Sequence, residues 1–500
     1  TSPYAEDAAY RKAIAAYGKQ DLNLAQELFA KFIDTYLGNE LCGEAEFFLG
    51  DINLSSGYVK EALQHYSEVE KKTSSQSYID QAYFQSISIY EKADDNAAII
   101  KLTNQYEKKY PNGNIAMIEF HKSAALSRSA RQTEALLELK NLIEKYGNEK
   151  QLDGVDKALE RYVADYPKTK ATLEASVKFL KDVISDEKLL NTLVTNPAER
   201  YRFFLKNSKI DNALYLKFKS DEKYSVNLFK DKKPLQTLLK HYEKQLSMFP
   251  KQAPKDFYAS LLKSSEGKKP TLYYRMMMAL DKFCKAPIPA KAFNEDDYKL
   301  ASPATLIWIA KHNEAYGIEA AKKTYQYVLD SESDAPYMLD ALLGLAALDE
   351  KQGKWEDALK QYIRAEEEYS TDPKIAQVAI KHGEMLVKLG RYNEADKKFE
   401  SIRKTPDWRG EPYAAALYNQ ALLAERAKKY EKALNYYDNC AIGYSNCLKY
   451  SGKAALAEAK LLVRMGDIEK AKETCDAYLK TPDAAASPEH DQIVNYKNTL

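Results

Sequence analysis

The chain has 500 residues, 45% of them hydrophobic and 29% charged, enough to bury a core but too many for one compact globule, so several domains or a repeat array are expected. Its 74 Lys and Arg balance 73 Asp and Glu at a net charge of +1, which excludes a domain built mainly to hold phosphate backbones and with it nucleic acid as the expected partner. No apolar run approaches the roughly 20 residues that span a bilayer, so no transmembrane segment is expected.

The first residue is Thr1 rather than Met, and Thr1–Tyr10 holds no apolar stretch that would itself act as a signal. A removed leader or trimming would each explain that start, which leaves export and a membrane tether before residue 1 open. Over residues 1–150 an alanine recurs at Ala25, Ala62, Ala98 and Ala135, in steps of 37, 36 and 37 residues. Twelve residues before these lie Ala13, Gly50, Ser86 and Ser123, all small. Four residues after them, one helical turn along the same face, lie the large side chains Phe29, Tyr66, Leu102 and Leu139. Small residues on one helix facing large ones on the next are what close helix packing requires, so about four helical hairpins are predicted here. Gly57 stands where a first helix should end and the chain turn, and Tyr110-Pro111 follows a second helix that proline stops.

Residues 151–300 read as a divergent helical middle. From Ala135 to Ala321 is 186 residues, room for four degenerate hairpins, but the frame is lost. RYVADYPKTK predicts one more second-helix ending. Pro250, Pro254, Pro270, Pro287 and Pro289 punctuate short amphipathic pieces such as PLQTLLKHYEKQLSMF, and KAPIPAKAF predicts a linker or hinge near 286–293. An unbroken superhelix is the alternative.

The frame returns over residues 301–500, in lines such as GKWEDALKQY, GRYNEADKKF and KKYEKALNYY. Ala321, Ala358, Ala395, Ala433 and Ala471 follow one another in steps of 37, 37, 38 and 38 residues. Twelve before them lie Ile309, Ala346, Gly383, Ala421 and Ala459, and four after them Tyr325, Tyr362, Phe399, Tyr437 and Cys475. Gly353, Gly390 and Gly466 take the turn position, and Asp372-Pro373, Thr405-Pro406 and Thr481-Pro482 follow second helices. About five repeats fit this block. The predicted fold is all-α, a solenoid of antiparallel helix hairpins.

With these residues in view, the chain resembles the tetratricopeptide repeat family, whose hairpins of about 34 residues carry this pattern of small and aromatic positions. The resemblance covers Thr1 to about Tyr146 and about Ser302 to the C-terminus. Endings such as NQYEKKYPNG and the longer step are similar to the bacterial outer-membrane-assembly lipoprotein branch. That finer resemblance implies a periplasmic or outer-membrane-associated protein of a Gram-negative bacterium, with a cytoplasmic location as the alternative; an acylated cysteine would then lie before Thr1.

Catalytic chemistry has no sequence pointer. His65, His121, His241, His312, His382 and His490 are scattered, none in a metal-binding spacing, and no phosphate-loop, nucleophile-elbow or dinucleotide pattern is present. No cofactor, metal or enzymatic activity is expected. Asp94-Asp95 and Asp296-Asp297 read as solvated loop charges. Of Cys42, Cys284, Cys440, Cys447 and Cys475, a bridge between Cys440 and Cys447 across a turn is conceivable, but buried thiols are the preferred reading.

The family resemblance implies that first helices line a concave face and that repeat position five is among those that meet a ligand. In the N-terminal block that position holds Tyr10, Phe47, Tyr83 and Phe120, all aromatic, whereas the C-terminal block has Leu306, Leu343, Ile380, Tyr418 and Leu456. Two readings stand side by side: packing between neighbouring hairpins, which is the commoner use of aromatic stripes, and a ladder that anchors a peptide, rimmed by Asp7, Glu44, Asp51 and Asp80 and therefore suited to a basic or neutral segment. The expected function is a non-enzymatic scaffold for protein or peptide partners. A structural subunit of a bacterial envelope or secretion assembly is the alternative, and a glycan-binding protein ranks below both.

Overall fold

The computed structural model describes residues 3–111, 113, 115–129, 131–185, 244, 246–288, 292–331 and 335–500, and among the described residues every regular element is a helix. Contacts divide the chain into two compact units, Thr1–Ala290 with Leu300–Thr305, and Lys291–Lys299 with Leu306–Leu500. The first unit opens with four hairpins: Pro3–Gly18 with Leu22–Thr35, Leu41–Ser55 with Val59–Lys72, Gln76–Lys92 with Asn96–Lys109, and Ile115–Arg128 with Gln132–Tyr146. In the second unit Ile318–Asp330 leads into Ala335–Lys351 with Trp355–Glu368, Ile375–Lys388 with Tyr392–Lys404, Glu411–Arg426 with Tyr430–Ala441, and Leu448–Arg464 with Ile468–Leu479. A last helix, His490–Thr499, buries Ile493 against this end.

The repeat frame is the core. Ala25, Ala62, Ala135, Ala321, Ala358, Ala395, Ala433 and Ala471 are buried, and so are Phe29, Tyr66, Leu139, Tyr325, Tyr362, Phe399, Tyr437 and Cys475 one turn on. The reason is steric. A Cβ added at Gly50 would lie 2.5 Å from the Tyr66 ring, and one at Gly383 2.5 Å from the Phe399 ring, so each aromatic fills the room its glycine leaves. Gly383→Ala is therefore expected to overpack this helix pair and cost about 1 to 3 kcal/mol. Chemical denaturation checks it: the midpoint should fall at unchanged slope, and an unmoved midpoint would mean that the Phe399 ring is free to yield.

The third hairpin departs from the predicted frame by one residue. Ala98 is only half-buried, and Ile99, Thr103 and Tyr106 face the core in its place. The caps fix this register. Asp21, Asp95 and Asp467 each accept from a backbone N–H at the start of a second helix, that of Leu24, Ala98 and Lys470 in turn; each aspartate then stands four residues before its core residue, counting Ile99. Asp94 (φ 52°), five before Ile99, adopts the left-handed turn that Gly57, Gly353, Gly390 and Gly466 adopt elsewhere. Thr103 stands four residues after Ile99, where most other repeats carry an aromatic or leucine, and both are buried.

In the middle segment the helix Asp153–Ser185 runs through Pro167, so RYVADYPKTK does not end a helix as the sequence predicts. Proline costs this helix a backbone hydrogen bond; an aromatic cluster of Tyr162, Tyr166, Phe249, Phe257 and Tyr258 packs beside it. Tyr258 donates to the Leu159 carbonyl at 2.7 Å and Tyr166 to the Pro250 carbonyl at 2.8 Å, which ties two distant segments together. Pro254–Ser265 and Pro270–Cys284 form a further hairpin, each helix opening on the proline that suits a first helical position. Arg275 on the second of these is wholly buried. It pairs with Asp156 at 3.0 Å and donates to the carbonyls of Gly147 at 3.0 Å, Glu149 at 2.6 Å and Leu152 at 3.2 Å. Residues 186–243, with His241, most of PLQTLLKHYEKQLSMF and the room assigned to degenerate hairpins, lie outside the described residues, as do 289–291 of the predicted hinge. All five cysteines are free thiols; burial pushes that of Cys440 up to about 12.

Candidate ligand surface of the first array

Each position-five aromatic sits on a first helix whose apolar face is fixed by the repeat, and that face points into the hairpin stack. Tyr10 is 9% exposed, Phe47 5% and Tyr83 8%, while Phe120 is half-buried. Tyr10 packs against Phe29 and Phe32, Phe47 against Tyr66 and Tyr78, and Tyr83 against Tyr106 and Tyr110. Phe120 lies beside His121, which itself pairs with Glu91 at 2.9 Å. The Tyr10, Phe47 and Tyr83 rings thus belong to the packing of their own hairpins, with the contact of Phe47 and Tyr78 reaching the next, and only Phe120 of the four is half-buried.

The rim residues separate in the same way. Asp7 is exposed and pairs with Arg11 one turn along its own helix at 2.7 Å. Glu44, Asp51 and Asp80 are half-buried, and each accepts a tyrosine hydroxyl: Glu44 from Tyr10 at 2.8 Å, Asp51 from Tyr66 at 2.6 Å, and Asp80 from Tyr106 at 2.5 Å. Burial pushes the Asp51 carboxyl up, against the pull of the Tyr66 hydrogen bond. Burial and the neighbouring carboxylates raise the phenols of Tyr10 and Tyr66 well above their ordinary value, so these tyrosines stay neutral donors at any working pH. A carboxylate has about four acceptor positions, so the tyrosine bond on each, joined on Asp80 by one from the Gln76 amide at 2.6 Å, leaves capacity for an incoming cation.

Two further carboxylates organise the array and escaped the sequence analysis. Glu70 gathers Tyr83 and Tyr110, both at 2.9 Å, and Lys109 at 2.7 Å, joining consecutive hairpins. Glu46 is buried and takes His65 at 2.6 Å and Lys72 as partners. Burial pushes both carboxyls up, but their hydrogen-bond and ionic partners outweigh it and hold them below the usual carboxylate range. For Glu46 the available signal was a glutamate set among apolar neighbours, in GEAEFF; Glu70, in YSEVEKK, had none. The second array repeats the kind of contact that Tyr66 makes with Asp51 and adds a cation: Tyr362 donates to Glu350, which pairs with Lys381 at 3.4 Å on the next first helix, and Tyr437 donates to Glu425 at 2.8 Å, which pairs with Arg464. Among the described residues no group of His, Cys, Asp and Glu side chains is arranged to hold a metal ion, and no helix is long and apolar enough to cross a membrane.

Residues 10–77 and 380–441, one stretch in each array, match the tetratricopeptide repeat family. Each array thus contains a stretch that matches tetratricopeptide repeats. The matched stretches contain the hairpin contacts just described, including the pairs of Gly50 with Tyr66 and Gly383 with Phe399. No curated protein matches the chain. Among solved structures, yeast Tom70 aligns at 13% identity and a TM-score of 0.30 over 91% of this chain and 95% of that one. A tetratricopeptide repeat protein from Parabacteroides merdae aligns at 17% and 0.30 over 48% and 88%, and the APC/C hetero-tetramer Cut9-Hcn1 at 13% and 0.29 over 99% and 90%. At such values these likenesses carry neither activity nor partner across.

Proposed function

We propose that the chain is a non-enzymatic scaffold that holds a protein or peptide against the first helices of its N-terminal repeats, with Glu44, Asp51 and Asp80 meeting a basic or neutral segment. The observation that carries this reading is the set of tyrosine hydroxyls that fix these three carboxylates in place. Carboxylates held by neutral donors are pre-oriented, so less side-chain entropy is lost when a lysine or arginine arrives. Their half-buried setting also makes an ion pair stronger than one between fully solvated groups.

The test is a triple variant, Glu44→Gln, Asp51→Asn and Asp80→Asn, which keeps shape and an acceptor for each tyrosine. Partner capture from the native organism should fall by about tenfold or more, the equivalent of one to two charge-assisted contacts. Capture by the unaltered chain should weaken as salt rises. Full capture by the triple variant at an unchanged melting temperature would remove the acidic surface from the interface.

A further inference from the structure

The second array supplies its own internal controls. At each junction between repeats, three positions meet: eight residues after the core alanine of one second helix, thirteen before the next core alanine, and three after it. At the junction between the Ala358 and Ala395 repeats these are Glu366, His382 and Lys398, with His382 at 2.7 Å and Lys398 at 2.6 Å from the two oxygens of Glu366. At the next they are Arg403, Gln420 and Tyr436: Arg403 donates to Gln420 at 2.9 Å, and its guanidinium stands 5.1 Å from the centre of the Tyr436 ring. These two junctions each carry a cation from the protein's own chain, whereas the junction before them, at Leu329, Leu345 and Gln361, has neither a cation nor a carboxylate.

The last junction has none at these positions. The corresponding residues are Ala441, Glu458 and Thr474. The long side chains are gone, and a cavity of about 520 Å³ stands there, lined by Ala441, Thr474 and Glu458 together with Asp438 and Glu473. Glu458 is 6% exposed, and its Oε2 is buried without a hydrogen-bond partner. A buried polar atom left unpaired is costly, and Glu458 lines space large enough for a side-chain head group. The charged groups around it are Glu431 and Asp438 on the preceding helix and Lys470 and Glu473 on the following one, three carboxylates to one ammonium.

We propose that this cavity is a binding site for an organic cation, the guanidinium or ammonium head of an arginine or lysine side chain on a partner, which takes the place that Lys398 and Arg403 hold at the neighbouring junctions. Burial, reinforced by Asp438, pushes the Glu458 carboxyl up to about 8, so near neutral pH it holds a proton. The entering cation displaces that proton to solvent and leaves a carboxylate paired with the cation; binding therefore strengthens as pH rises through Glu458's titration.

The full chain is titrated with N-acetyl-arginine amide, its uncharged isostere N-acetyl-citrulline amide, and putrescine, followed by calorimetry. The arginine amide should bind saturably, release a proton at pH 7 and bind more tightly at pH 9, while the citrulline amide should not bind. Glu458→Gln should weaken binding about tenfold or more and abolish the proton release. Thr474→Lys, which restores the cation at the register of Lys398, should raise the melting temperature and block the site. Arginine amide tighter than putrescine assigns the site to a protein side chain, and the reverse order to a free polyamine. Equal binding of the arginine and citrulline amides, no binding of either cation, or an undiminished affinity in Glu458→Gln would each overturn the proposal.

Discussion

Arg275→Ala is expected to destabilise the first unit by about 3 to 5 kcal/mol, the range for removing one partner of a buried ion pair. Asp156, whose side chain is 8% exposed, would lose the guanidinium that now stands 3.0 Å from it. The loss extends to the backbone. Gly147 closes the helix Gln132–Tyr146, and the carbonyls of Gly147, Glu149 and Leu152 run through the connection to Asp153–Ser185, where that of Leu152 also accepts from the Val155 N–H at 3.2 Å. One planar group with five donors satisfies all of them at once. Arg275→Lys should recover only part of the stability, because an ammonium is a point donor and cannot span the same set of acceptors. Chemical denaturation of the three proteins checks the order, arginine above lysine above alanine. An alanine variant within about 1 kcal/mol of the parent, no more than an ordinary substitution costs, would show that water replaces the guanidinium without loss.

The hairpins were legible because their code is local and repeated: Gly383 and Phe399, or Gly50 and Tyr66, declare each other sixteen residues apart, and the same offset recurs along both arrays. The slip to Ile99 was not, since Ala98 and Ile99 are adjacent apolar residues and only the cap at Asp95 and the turn at Asp94 decide between them. Pro167 misled because proline blocks helix continuation in general, whereas here the helix runs on past it, with an aromatic cluster packed on the turns just before it. The Arg275 contacts cross more than a hundred residues of chain, and no period reports such a meeting. The junction at Glu458 is an intermediate case. Its three positions follow the repeat, so the exchange of Lys398 for Thr474 is visible in the sequence once the structure shows which positions meet.

Tyr83→Ala should cost the first array about 3 to 5 kcal/mol, as truncating a buried aromatic does, and any loss of partner binding should follow the loss of folded protein. The Tyr83 ring lies 4.9 Å from that of Tyr106, and its hydroxyl is 2.9 Å from Glu70, which also binds Tyr110 and Lys109 from the next second helix. Removing the side chain therefore opens a cavity and strips one donor from a carboxylate that three groups now support. Tyr83→Phe separates these effects: it keeps the ring and should cost only about 0.5 to 1.5 kcal/mol for the hydrogen bond. Phe120→Ala provides the contrast, because that ring is half-buried and has less apolar area to lose, so its melting temperature should fall less than that of Tyr83→Ala. Thermal melts followed by helical signal rank the three variants, and partner capture is measured on each at a temperature where all remain folded. Capture lost in Tyr83→Ala while the protein is still fully folded would return Tyr83 to the contact surface, and the packing account of these aromatics would then fail.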